Sequence, residues 1–206
     1  MGKPGNTAML VAAGAGAIGL GSPAGAQTIQ GGWEIRVSNA VSPSQPTATV
    51  EVWAWFDFVP GVSDLFTGGD FDLVAGEGEF WNFVFPLLRP DPGPIVRGSS
   101  IIGVVAFQLH IPALGIFGDT SNPIHVFSAD WTTSNLLTPR TIDLRSENTT
   151  SFFVAAFQTG QPTQLFPQGF VPGSGMITVI PSPASGGLAF VFVLHRFARR
   201  RRERKV

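Results

Sequence analysis

Cysteine and tyrosine are absent from the 206 residues, and lysine occurs only at positions 3 and 205. Without cysteine there is no disulfide, no thiol nucleophile and no thiolate metal site. Charged residues make up only 13% of the chain. No apolar run reaches the roughly 18 residues needed to read as a membrane-spanning helix. Helical periodicity is scarce as well. What is plentiful is Phe (18), Trp (5), Gly (25) and Pro (17), which points to an aromatic core punctuated by turns.

The N-terminus carries Lys3, then a 13-residue run of small and apolar residues from Ala8 to Leu20, then Ala24-Gly25-Ala26. That order fits a secretory signal segment over residues 1–26, with cleavage specified by Ala24 and Ala26 and a mature start at Gln27. Residues 180–206 form the opposite terminus. Pro181-Ser182-Pro183 is extended and short of backbone donors. Leu188 to Leu194 is apolar, and seven of the ten residues from Arg196 to Lys205 are Arg or Lys. Such a basic block stays on the cytoplasmic side of a membrane.

This tail resembles the PEP-CTERM sorting signal of Gram-negative bacteria: a Pro-x-Pro motif, one hydrophobic segment, and an arginine cluster, here Arg199, Arg200, Arg201 and Arg202. Ser182 stands where the family usually has Glu. The resemblance implies export, transient inner-membrane retention, processing by signal peptidase and an exosortase, and residence at the cell surface or in the extracellular matrix. The segment Gly186 to Phe197 would span roughly 18 Å as a helix against a hydrocarbon core of about 30 Å, a length suited to a pause rather than a permanent anchor.

Residues 27–179 are the size of one domain with a single core. They hold five arginines, no lysine and thirteen acidic residues, a net charge of −8. Nucleic acid and anionic membranes are poor partners for such a body. Trp33 to Ser38 alternates apolar and polar residues. Thr47 to Phe56 does so most clearly, with Val50, Val52, Ala54 and Phe56 on one face and Thr49, Glu51, Trp53 and Trp55 on the other. Further strands are expected at Glu79–Phe85, Ile124–Trp131, Thr141–Leu144, Ser151–Phe157 and Gly175–Ile180, with Ser100–Ile111 as the central one. Phe58 to Gly78 reads as turns around one short strand, Phe71–Val74. Eight or nine short strands without amphipathic helices predict an all-β, antiparallel sandwich, jelly-roll or immunoglobulin-like. A signal helix and a short C-terminal hydrophobic helix are expected to flank it.

Three constellations bear on chemistry. Asp57, Asp64, Asp70, Asp72, Glu77 and Glu79 fall within 23 Gly-rich residues, read as solvated loop acids, as a Ca²⁺ site, the one cofactor the chain suggests, or as paired carboxylates for acid/base hydrolysis. His110 and His125, the latter near Asp130, read as strand histidines with one hydrogen-bonded nitrogen each; they would otherwise bind a metal or serve a hydrolase, yet no nucleophile elbow or His-Glu-x-x-His accompanies them. Trp53 and Trp55 share one face of one strand and offer stacking surfaces for an extracellular polysaccharide. Asn148-Thr149-Thr150 matches a glycosylation sequon. The resulting expectation is an exported surface or matrix protein without catalytic activity. A glycan-binding module and an exported hydrolase are the alternatives.

Overall fold

Alternation decides the strands. In β2 (Thr47–Phe56) every second residue is buried, with Val50, Val52, Ala54 and Phe56 inside and Trp53 and Trp55 on the outer face, as the period-two pattern requires. The computed structural model describes residues 28–89 and 93–181. The 1–26 segment, both expected flanking helices, Ser182, Pro183 and the arginine cluster lie outside those residues.

The described residues form twelve strands: β1 (Gly31–Val37), β2, β3 (Leu65–Ala75), β4 (Glu79–Val84), β5 (Ile95–Arg97), β6 (Ser100–Phe107), β7 (Ile124–Thr132), β8 (Arg140–Glu147), β9 (Phe152–Ala155), β10 (Pro162–Gln164), β11 (Phe170–Val171) and β12 (Ser174–Val179). One sheet runs β11-β1-β2-β7-β4. The other runs β10-β9-β3-β6-β5, with β8 joining the lower half of β3 and carrying β12 on its far side. All pairs are antiparallel except the two-residue pairing of β1 with β11. The sheets face each other as a sandwich. Among the described residues the only helix is a single 3₁₀ turn, Pro112–Leu114, and no helix is long and apolar enough to cross a membrane.

The core forms around Trp33 of β1. Its ring sits among Phe71 (4.7 Å between centroids), Phe152 (4.9 Å) and Phe66 (5.8 Å), and its indole N–H donates to the buried Thr149 hydroxyl at 3.1 Å. Edge-to-face and tilted pairs of this kind are favourable beyond the area they bury.

Two strand expectations are corrected. The stretch read as turns is β3, eleven residues long and the central strand of its sheet. Gly68 and Gly69 suggested a turn, but they serve packing. A Cβ on Gly69 would lie 2.8 Å from the Trp33 ring, so only glycine lets the aromatic core close over the strand. The run expected to be central, Ser100–Ile111, ends as a strand at Phe107 and lies between β3 and β5.

The register also orders the loops. Segments 57–64, 108–123 and 156–161 gather at one end of the sandwich, beside the start of β1. Segments 38–46, 76–78 and 133–139 gather at the other, beside the end of β12.

Candidate functional site

The six carboxylates do not share a loop. Asp57 and Asp64 stand at one end of the sandwich, Glu77 and Glu79 at the other, and Asp70 and Asp72 lie within β3. The reading of a single acidic loop is therefore wrong, because β3 pairs along its length and spreads its carboxylates along the sandwich. Five of the six accept hydrogen bonds from the chain. Asp57 takes the Gln30 N–H at 3.0 Å. Asp64 takes those of Gly61 (3.1 Å) and Phe157 (2.8 Å). Asp70 accepts from the Thr150 N–H and hydroxyl, both at 3.0 Å, and from Ser151. Asp72 accepts from the Gly103 N–H and the Asn148 amide, both at 2.7 Å. Among the described residues no three His, Asp or Glu gather to hold a metal ion.

The histidines are structural clamps. His110 accepts the Gly118 N–H at Nδ1 (3.1 Å), which leaves the proton on Nε2 to donate to the Phe157 carbonyl at 2.7 Å. Both nitrogens are thus occupied in holding the 108–119 loop to the end of β9. His125 bonds the Phe127 carbonyl through Nε2 at 3.0 Å and stacks on Trp53, 4.8 Å between centroids. Asp130 is held instead by the Thr49 hydroxyl (2.9 Å) and the Asn82 amide (2.8 Å).

Trp53 and Trp55 do share the outer face of β2, but they differ in availability. The Trp53 ring is engaged from the β1 side by the Arg36 guanidinium, 4.4 Å from its centroid, and from the β7 side by His125. Its N–H is taken by Glu51 at 3.0 Å. Arg36 forks onto Glu34 at 2.8 and 2.9 Å, and that hydrogen bond holds the Glu34 carboxyl below its usual range. Trp55 is half-buried, and its N–H has no protein partner among the described residues. Neither does that of Trp81, which is 50% exposed on the same sheet face. The sequence signal for Trp81 is the alternation in β4, where Phe80 faces inward and Trp81 outward.

The two ends of the sandwich are unlike. At the β12 end, Arg140 donates to Glu77 (Nε to Oε1, 2.9 Å), to the Asn135 and Thr138 carbonyls (2.7 and 2.9 Å) and to the Thr133 hydroxyl (3.3 Å). The Trp131 N–H donates to the Glu77 carbonyl at 3.0 Å. The hydrogen bond from Arg140 lowers the Glu77 carboxyl from its ordinary value. Gly78 has φ +86°, and a Cβ there would lie 2.4 Å from the Trp131 ring, so the turn is fitted to the indole.

At the β1 end the loops expose Phe58 (63%), Leu114 (71%), Phe117 (58%), Leu109, Ile111, Ile116 and Val62. Phe117 stacks on Phe157 at 5.4 Å, and a hollow of about 710 Å³ lies between Phe58, Pro60, Thr120 and Phe157. The only formally charged residues in these loops are Asp57, Asp64 and Asp119. Exposed apolar side chains concentrated in one region mark an interaction site, whereas isolated ones do not. Strand and loop pattern alone could not show that Leu109 to Phe117 points outward.

No family model matches the chain, and no curated protein matches it. Among solved structures it is similar to the seventh type I cohesin of ScaB from Pseudobacteroides cellulosolvens, at 16% identity and TM-score 0.50, over 75% of this chain and 94% of that one. It is also similar to a type I cohesin–dockerin complex from Clostridium thermocellum, at 13% identity and TM-score 0.44, over 72% and 99% of the two chains. A third is the sixth cohesin of scaffoldin B from Acetivibrio cellulolyticus in complex with the Cel5 dockerin, at 9% and 0.43, over 72% and 97%. At these identities the likeness is one of fold.

Proposed function

We propose that the chain is an exported, non-catalytic module of the cell surface or extracellular matrix, which docks a protein partner through the apolar end of its sandwich. The carrying observation is the concentration of Phe58, Leu114, Phe117 and their apolar neighbours around one open hollow, with Asp57, Asp64 and Asp119 about it and no basic residue in those loops. The partner segment that fits is apolar at its centre and basic at its flanks. Opposite charge steers such an encounter, while the buried apolar anchors hold it. The acidic surroundings disfavour an anionic membrane. A non-catalytic role is supported by His110, whose two nitrogens are both spent on backbone groups, and by the dispersal of the carboxylates.

Export and sorting rest on the two ends of the sequence. Signal peptidase releases the chain after Ala26, and an exosortase cuts near Pro181-Ser182-Pro183 while Arg199 to Arg202 hold the tail at the inner membrane. Intact mass measurement of the protein from its native host tests this. A species beginning at Gln27 and ending near Pro183 is expected, and one still ending at Val206 overturns it. Docking is tested by cross-linking in the native matrix. Cross-links should run from the 57–64 and 108–119 loops to an apolar, basic peptide and disappear in a Leu114→Asp, Phe117→Ser variant. Cross-links that survive the variant overturn the docking surface.

A further inference from the structure

We infer that the outer face of the β1-β2-β7-β4 sheet carries a second site, an extended strip from Trp81 to Trp55 that binds an uncharged, β-1,4-linked polysaccharide chain. This site lies on a different surface from the docking at the apolar end and meets it only at Trp55, three residues before Phe58.

Register sets out the strip. Trp81 pairs with Asp130, and Asp130 pairs with Thr49. Val84 pairs with Ser128, and Ser128 with Glu51. His125 pairs with Trp53, and Trp53 with Glu34. Trp55 follows on the same face of β2, six residues beyond Thr49, or about 20 Å along the strand. The strip therefore has an indole at each extremity, Trp53 and Val84 along it, and polar groups between, on the outer face of a twisted sheet. An extended, ribbon-like chain of sugars matches that shape, with its C–H faces on the rings and its hydroxyls beside the carboxylate, amide and hydroxyl groups.

Three observations carry the assignment to a hydroxyl-rich ligand. First, Trp33, Trp53 and Trp131 spend their N–H groups on protein acceptors, while Trp55 and Trp81 have no such partner among the described residues. Those two donors lie on this face. Second, the β4–β7 register slips between Trp81 and Val84, and Asn82 is held there at φ +52°, an uncommon conformation for a residue with a side chain. The Asn82 amide is pinned to Asp130, which also holds Thr49. A bulge re-aims side chains, and here it sets a planar amide and a carboxylate beside the exposed indole. Third, Trp53 is clamped between Arg36 and His125, which makes a rigid middle to the strip and costs no ordering on binding.

Charge selects the class. The charged groups of the face are Glu34, Arg36, Glu51, Glu79 and Asp130, and the one arginine is already paired to Glu34. Carboxylated or sulfated chains are repelled. Neutral ones are not.

The experiment is titration of the full chain with cellohexaose and chitohexaose, followed by tryptophan fluorescence and calorimetry, with polygalacturonate as the charged control. Saturable binding to at least one neutral oligosaccharide is expected, with a shift in tryptophan emission. Trp81→Ala and Trp55→Ala should each weaken it by about tenfold or more, Trp81→Phe, which keeps the aromatic face and loses the N–H donor, should weaken it measurably but less than Trp81→Ala, and Asn82→Ala should weaken it with the fold intact by circular dichroism. Leu114→Ser, at the apolar end, should leave it unchanged, so that failure here and failure of protein docking are told apart. No binding to either oligosaccharide, binding that survives the Trp55→Ala, Trp81→Ala double variant, or equal binding of polygalacturonate overturns the inference.

Discussion

The two ends of the sandwich solve the same problem in opposite ways. At each, loops must leave the sheets and cover the edge of an aromatic core. At the β12 end the core edge is latched: Trp131 is buried, Gly78 lets the turn close over it, Arg140 collects the carboxylate of Glu77 and two carbonyls, and Leu137 is the one large apolar side chain those loops expose. At the β1 end the inner layer is just as well tied, by Asp64, His110 and Gln108, but an outer layer of Leu and Phe is left in water. The apolar exposure is therefore not a sign of poor folding. It sits on a well-bonded base, which is what a docking surface requires.

The contrast breaks first at Trp131. Trp131→Ala removes the side chain on which the β12 end closes and should cost about 3–5 kcal/mol, read as a fall in the denaturation midpoint with little change in slope. A loss below about 1 kcal/mol would show that the latch holds without its indole. Next comes the open end. Leu114→Asp with Phe117→Ser should cost no more than about 1.5 kcal/mol, the stacking of Phe117 on Phe157, while a partner seated on these anchors is weakened by about 2 kcal/mol or more. A large loss of stability would instead make those side chains belong to the core.

Arg140→Ala sharpens the contrast at about 1–2 kcal/mol, since it frees two carbonyls as well as an ion pair whose glutamate is 42% exposed. Arg140→Lys should restore only some of this, because an ammonium cannot reproduce the fork. The smallest effect is that of acid. Glu77 titrates below its ordinary value because Arg140 donates to it. Its contribution is therefore complete above the unfolded value and is lost as pH falls through the lower folded one. After solvent screening it is worth less than about 1 kcal/mol. Asp119, lowered by the Ser121 hydroxyl and then its N–H, should behave with the same sign at the open end. Arg140→Ala should flatten the first acid-side loss and leave the second.

The all-β class and the faces of β2 were legible because one face of that strand is buried, and a period of two then admits only one register. β3 was not legible. Its two glycines carry no side chain to alternate, and their reasons lie far away in sequence, Gly69 against Trp33 and Gly68 against Phe107. The acidic residues illustrate the same limit, since closeness in sequence within a strand means separation along it. Trp55 could be read from its own strand. The clamp that takes Trp53 out of use could not, because Arg36 and His125 come from neighbouring strands on either side.

The chain enters the described sandwich at the apolar end and leaves it at the latched end, with β12 running toward that exit. A pull applied to the loops of the apolar end and to the chain at Ile180 would thus run along the strands. Ladder hydrogen bonds lie across the strand direction, so the whole β12–β8 ladder, from Ser174 against Arg145 to Val179 against Arg140, takes such a load at once as shear. The bonds would share such a force instead of breaking in succession as in a peeled hairpin.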